Sequence, residues 1–283
     1  MAVQRVWPLP EGVKSVEVNG YPMAYQESGS GTPLVLVHGA LNDYRYWNSQ
    51  IPVFATHHRI IAVSLRHYFP EPWDGRGDDF SIPQHADDLA AFVQALDLGP
   101  VHLLGHSRGG AVVLDVAARH PEVIRTLILA DASGLEGLLP DTPESRALAA
   151  ETLQLRERLA ADLARGEHEA AARAFVEALG GPGRWQQMTP DQRSILLDNV
   201  ATGMRVEARP VLSCEAIREF HFPILRLVGE RSPKRYGEMF RAMGPCLSSG
   251  VGEPIVIANA AHGMNRENPQ AFNSAVLGFL SGR

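Results

Sequence analysis

Short apolar runs alternate with helical patterns along the first half of the chain. Residues 14–28, KSVEVNGYPMAYQES, alternate apolar and polar positions around Asn19-Gly20. That dipeptide tolerates positive φ at both positions and predicts a two-residue hairpin turn. Continuous apolar strands are predicted at 33–39 (PLVLVHG), 59–65 (RIIAVSL), 101–105 (VHLLG) and 124–130 (IRTLILA). Between the second and third, residues 81–98 place Leu89, Phe92, Val93 and Leu96 on one helical face. A second helix follows from Gly109 and stops at Pro121. Uniformly apolar strands separated by helices imply parallel βαβ units and a sheet covered on both faces.

The rhythm changes between about 135 and 210, where the chain becomes rich in Ala, Leu, Glu and Arg. Helical spacing dominates, and few residues are β-branched. Thr142-Pro143 and Thr189-Pro190 read as helix starts, a capping residue followed by Pro in the first turn. Strands return at 222–229 (FPILRLVG) and 253–259 (EPIVIAN), and a last helix starts near Asn268. The expected organisation is therefore an α/β core of residues 1–134 and 211–283, interrupted by a helical insertion at 135–210.

Composition adds mainly exclusions. The net charge is −6 and basic residues are scattered, so no nucleic-acid surface is expected. No apolar run of 18 residues predicts a membrane span, and the N-terminus does not read as a secretory leader. Cys214 and Cys246 are too few for a disulfide framework and offer no CxxC metal spacing. A soluble protein in a reducing, cytoplasmic setting, with neither metal nor organic cofactor, is expected. The pattern says nothing about oligomeric state.

Three segments carry chemistry. Gly105-His106-Ser107-Arg108-Gly109 is a G-x-S-x-G between a predicted strand and a predicted helix. That context places Ser107 on a sharp turn, exposed as a nucleophile at a helix N-terminus. His38-Gly39-Ala40 ends another strand, so the backbone N–H groups of Ala40 and Arg108 are the candidate oxyanion hole. His262 lies in a loop after the last strand, at the strand end where open α/β sheets place their sites, and is the candidate base.

The hairpin, LVLVHGA, GHSRGG, the helical insertion and the AHGMNRENP loop, in that order, resemble the α/β-hydrolase fold superfamily, in particular its cap-bearing serine hydrolase branch. The resemblance covers essentially the whole chain and is weakest in the insertion. It implies a mostly parallel eight-stranded sheet with flanking helices, a helical cap and a Ser-His-acid triad. Two departures stand out. Where many relatives have D-x-R-G-x-G-x-S, this chain has Ser64 for the Asp and His67 for the first Gly. Where the family usually places its acid, in a G-x-x-D pattern, this chain has Gly229-Glu230-Arg231-Ser232.

Two acids compete for that role. Asp131 directly follows the strand 124–130, and parallel strands bring it to the same edge as Ser107. Haloalkane dehalogenases, a minority placement in the superfamily, carry their acid after this strand. Glu230 is the alternative, two residues before the usual site. Candidate substrate contacts are His38, Tyr68, Trp73 and Trp185, with Phe69, Met188 and Met204 as further possible walls. The expected activity is cleavage of a small ester, lactone or related acyl substrate through an acyl-enzyme. A carbon–carbon hydrolase, lyase or cyclase, or a non-catalytic binding protein, are the alternatives.

Overall fold

The structure, a computed structural model, describes residues 7–204, 212–247 and 252–283. The expected end of the insertion, residues 205–211, lies outside the described residues, as does the side chain of Met204.

One eight-stranded sheet organises the chain. Its strands are β1 (Val13–Val18), β2 (Tyr21–Ser28), β3 (Pro33–Val37), β4 (Arg59–Val63), β5 (Val101–His106), β6 (Ile124–Ala130), β7 (Ile224–Gly229) and β8 (Ile255–Ile257). The spatial order is β1-β2-β4-β3-β5-β6-β7-β8. The β1–β2 and β2–β4 pairs are antiparallel, and every other pair is parallel. The hairpin turn forms at Asn19-Gly20, with φ of 49° and 71°. The expected strand at 253–259 shortens to three residues at the sheet edge.

Helices cover both faces. They are α1 (Ile51–Phe54), α2 (Ile82–Ala95), α3 (Arg108–Arg119), α4 (Pro143–Ala164), α5 (His168–Gly180), α6 (Arg184–Gln187), α7 (Pro190–Asp198), α8 (Cys214–Arg218), α9 (Lys234–Met243), α10 (Met264–Glu267) and α11 (Pro269–Leu280). Successive side chains of a strand point to opposite faces, so each buried strand feeds two cores. Val35 and Val37 of β3 join Leu89 and Phe92 of α2, Val112 and Val116 of α3, and Phe240 of α9. Leu34 and Leu36 join Phe54 of α1 and Phe272 and Val276 of α11. This is why the strands read as unbroken apolar runs.

Helices α4–α7 form the cap and bury a third cluster of their own, with Leu159, Leu163, Trp185 and Leu196. Leu41, from the loop after β3, inserts into that cluster and ties cap to core. Thr142 caps α4 by accepting from Ser145 N, and Thr189 caps α7 with a full capping box, as the Thr-Pro pairs predict.

The cysteines correct the sequence reading. Cys214 and Cys246 are joined, with sulfurs 2.08 Å and Cα atoms 5.0 Å apart. The bridge depends on α8 packing against residues 244–246, a tertiary contact that a separation of 32 residues does not reveal. The expectation of a reducing compartment rested partly on separate thiols and loses that support. Among the described residues, no helix is long and apolar enough to cross a membrane.

Candidate active site

The site is built where β5, β6, β7 and β8 end. Ser107 occupies the single residue between β5 and α3 with φ 54° and ψ −118°. An ordinary residue held there stores about 1–3 kcal/mol of backbone strain. The neighbours make that turn possible by lacking side chains: a Cβ on Gly105 would lie 2.6 Å from Gly109 O, and one on Gly109 would strike His38 O. The turn is also bonded in place. Ser107 N donates to Ala130 O at 3.0 Å. Ser133 donates to Ser107 O through both its N, at 3.1 Å, and its Oγ, at 3.0 Å.

Asp131 leaves β6 at φ 41°, and its N–H donates to Leu227 O of β7. Its side chain is fully buried. Oδ2 lies 3.0 Å from His262 Nδ1 and accepts from Ser232 Oγ at 2.5 Å. The serine at the usual acid position is thus bonded to the acid of the neighbouring strand. Burial pushes the Asp131 carboxyl well above the usual carboxylate range, opposed mainly by the Ser232 bond.

His262 follows β8 and is clasped on two sides. The Tyr236 ring stacks at 4.7 Å between centroids and 16° between planes, and the His106 ring lies at 4.6 Å. His106 Nε2–H donates to His262 O at 2.8 Å, fixing the loop that carries the imidazole. Burial, then the nearby charge of Arg235, holds the His262 pKa down to about 3. The ring is therefore neutral near pH 7. With Nδ1–H donated to Asp131, Nε2 carries the lone pair that a base needs.

Ser107 and His262 line one cavity beneath the cap. A serine on a strained turn, an imidazole and a buried carboxyl bonded to that imidazole are the residue types from which a hydrolytic triad is made. The family model described as alpha/beta hydrolase fold matches residues 32–179, just over half of the chain. The chain belongs to this family and is an α/β-fold hydrolase.

The chain is similar to known hydrolases over part or nearly all of its length. The chain is 24% identical over 266 residues to the (E)-2-((N-methylformamido)methylene)succinate hydrolase of Acinetobacter baylyi, covering 90% of this chain and 93% of that one. It is 30% identical over 125 residues to the 2-hydroxy-6-oxo-6-(2'-aminophenyl)hexa-2,4-dienoic acid hydrolase of Metapseudomonas resinovorans, spanning 42% of either chain. Among solved structures, a thermophilic esterase from Thermogutta terrifontis with malate bound superposes with a TM-score of 0.74 at 25% identity, covering 95% of this chain and 97% of that one.

The remaining expected site residues of this hydrolase fall into three groups. Ala40 lines the cavity on both sides of Ser107, and the backbone at Gly39 passes so close that a Cβ there would lie 3.1 Å from Ser107 Cβ. Arg108 heads α3, with its guanidinium turned away to His85 Nδ1, 2.9 Å, and over the Phe80 ring. Tyr68 and Met188 line the cavity.

Other residues stand apart from it. His38 is fully buried with both ring nitrogens on backbone: Nδ1 with Gly39 O at 2.8 Å, Nε2 accepting from Leu65 N at 3.1 Å. It braces the loop that carries Ala40 and does not line the cavity. Trp73 stacks on His67 and Phe80 in the surface loop, its Nε1 donating to Arg76 O. Trp185 packs inside the cap beneath Arg193. Glu230 is exposed and accepts from Asn259 N at 2.7 Å, so it caps a turn away from His262. His67, in place of the family's glycine, adopts φ 69° and lies between Glu71 and Asp79.

Sequence reasoning missed His106, Tyr236 and Arg235. No spacing singles them out, because each reaches His262 only through the fold. Among the described residues, no cluster of three or more His, Cys, Asp or Glu side chains could hold a metal ion.

Proposed function

We propose that this protein is a serine hydrolase that cleaves a small ester, lactone or related acyl substrate through an acyl-enzyme. In this reading His262 Nε2 takes the Ser107 proton as Oγ attacks the carbonyl carbon. The backbone N–H groups of Ala40 and Arg108 hold the resulting oxyanion. Asp131 orients the imidazole and stabilises its protonated form. His262 then gives the proton to the departing alkoxide, and the carbonyl reforms as the acyl-enzyme. Water attacks that ester with His262 again as base, releasing the acid and returning the proton to Ser107. No step calls on a group outside the chain's own residues and water.

The observation that carries the reading is the 3.0 Å contact between His262 Nδ1 and Asp131 Oδ2 beside a strained, cavity-lining Ser107. A serine in place of the usual acid would by itself favour a non-catalytic binding protein. Bonded to Asp131, Ser232 supports the carboxyl that takes the acid's place.

Intact mass after exposure to a fluorophosphonate tests the proposal. A single adduct is expected on the wild type and none on Ser107→Ala. An unmodified wild type, correctly folded by circular dichroism, would overturn it.

A further inference from the structure

The cavity has two lobes that meet at Ala40, Ser107, Phe175 and Leu179. They differ in how their cations are answered. In the lobe beside His262, Arg184 faces Glu267, with Nε 3.4 Å from Oε1. Arg266 lies over the Tyr46 ring and donates to Tyr46 O. Apolar Val176, Met188 and Leu196 complete that wall.

The other lobe carries Arg156 from α4 and Arg235 from α9. Both are half-buried. Arg235 makes no ion pair with any described residue. Its guanidinium bonds Tyr236 Oη at 3.1 Å and rests on that same ring. Its charge is instead felt at Asp131 and His262. Among the described residues, the acid on this wall is Glu136, which accepts from Gly134 N at 2.7 Å. The same Glu136, Thr152, Arg156 and Arg235 also line a larger cleft that continues the lobe outward past Pro140.

A half-buried guanidinium without an anionic partner is a costly arrangement that a bound anion relieves. Its planar fork matches a carboxylate with two parallel N–H bonds. One guanidinium carries one unit of charge, which a carboxylate balances and a phosphate dianion would exceed. We propose that Arg235, with Arg156, forms a subsite for a carboxylate carried by the substrate, so that the enzyme prefers acyl substrates bearing a free carboxylate. This rests on the reading of Ser107 as nucleophile. The carboxylate sits at the outer end of the lobe while the scissile carbonyl lies at Ser107. The placement allows it on either the acyl or the alcohol portion.

Two matched ester pairs separate those cases. Mono-4-nitrophenyl glutarate against 4-nitrophenyl butyrate tests the acyl portion. 4-Acetoxybenzoate against its methyl ester tests the alcohol portion. In one pair the charged ester is expected to show the higher kcat/KM. Arg235→Gln is expected to lower that charged-to-neutral ratio by about 10- to 100-fold, mainly through KM, the size of one lost charged hydrogen bond. Arg235→Lys restores part of it. The ratio is the readout because Arg235 also acts on His262. Ratios near one in both pairs, or unmoved by Arg235→Gln, overturn the subsite. If no ester turns over, thermal melts with glutarate decide. Stabilisation of the wild type but not of Arg235→Gln keeps the subsite and sinks the hydrolase reading. No stabilisation of either sinks the subsite.

Discussion

Ser232 Oγ and His262 Nδ1 meet on the same oxygen of Asp131, at 2.5 and 3.0 Å. The residue at the family's usual acid position and the carboxyl proposed to replace it are joined by a hydrogen bond. The strands that lead to them, β6 and β7, are adjacent and parallel.

Asp131→Asn is expected to lower kcat on the order of 10⁴-fold, as loss of the triad acid does elsewhere. Ser232→Ala removes one hydrogen bond to the buried Asp131 carboxyl and should cost about tenfold. Moving the acid back, in Asp131→Asn with Ser232→Asp, should recover a large part of the Asp131→Asn loss. A double variant no faster than the single one would show that the β7 position cannot reach His262.

Glu230→Gln should label with fluorophosphonate at the wild-type rate, because its carboxylate serves Asn259 N on the surface. Slowed labelling, with unchanged thermal stability, would return Glu230 to consideration as the acid.

The acid limb of the kcat/KM profile should lie well below pH 6.5, because burial and Arg235 hold His262 down to about 3. Arg235→Gln removes a positive charge that disfavours the imidazolium. The His262 pKa should rise and the limb move to higher pH. A limb that stays in place, or moves to lower pH, contradicts the assignment of the base.

Stability should fall as pH drops below about 6.5. His38, His85, His106 and His262 are all buried with depressed pKa, to about 4 for His38 and about 3 for His262. Unfolding lets each take up a proton that the folded protein refuses. Each group therefore contributes a loss of about 1.4 kcal/mol per pH unit between its unfolded and folded pKa. Asp131 works the other way: its raised pKa makes the folded state bind a proton that the unfolded chain releases. One carboxyl against these four and His102, also buried and held down to about 4, leaves a net loss. Urea titrations at pH 7 and pH 5 measure it, and equal stability at both would refute the burial argument.

The Cys214–Cys246 bridge closes a loop of 32 residues, which in the chain-entropy account stabilises by about 3–4 kcal/mol. Cys214→Ser should melt at a lower temperature than the oxidised protein and become insensitive to dithiothreitol. If dithiothreitol leaves the wild-type melt unchanged, the bridge is not formed in solution.

Much of this architecture could be read along the chain, and the reasons are local. The strands showed because both faces of the sheet are covered. The turn at Ser107 showed because Gly105 and Gly109 must lack side chains next to Val113 and the 37–38 backbone. Asp131 followed from the parallel strand ends. What stayed hidden depends on contacts between distant segments. His38 sits at a strand end like a site residue, yet Leu65 N and Gly39 O use up its ring. Trp185 looks like a pocket wall, yet it fills the cap's own core. Ser232 reads as a loss until Asp131 is seen beside it.

In the proposed triad, the acid's position after β6 also changes what the cap is free to do. Ser107 and Asp131 lie 24 residues apart in one uninterrupted β5-α3-β6 unit, upstream of every cap helix. With an acid on β7, nucleophile and acid would bracket the insertion, and any change in its length would act on both. Here the cap can be lengthened, trimmed or exchanged while that pair keeps its spacing. Only the loop bearing His262 must find its place after the insertion. The chain is therefore a natural host for cap grafting, in which specificity is rewritten without disturbing the nucleophile and its acid.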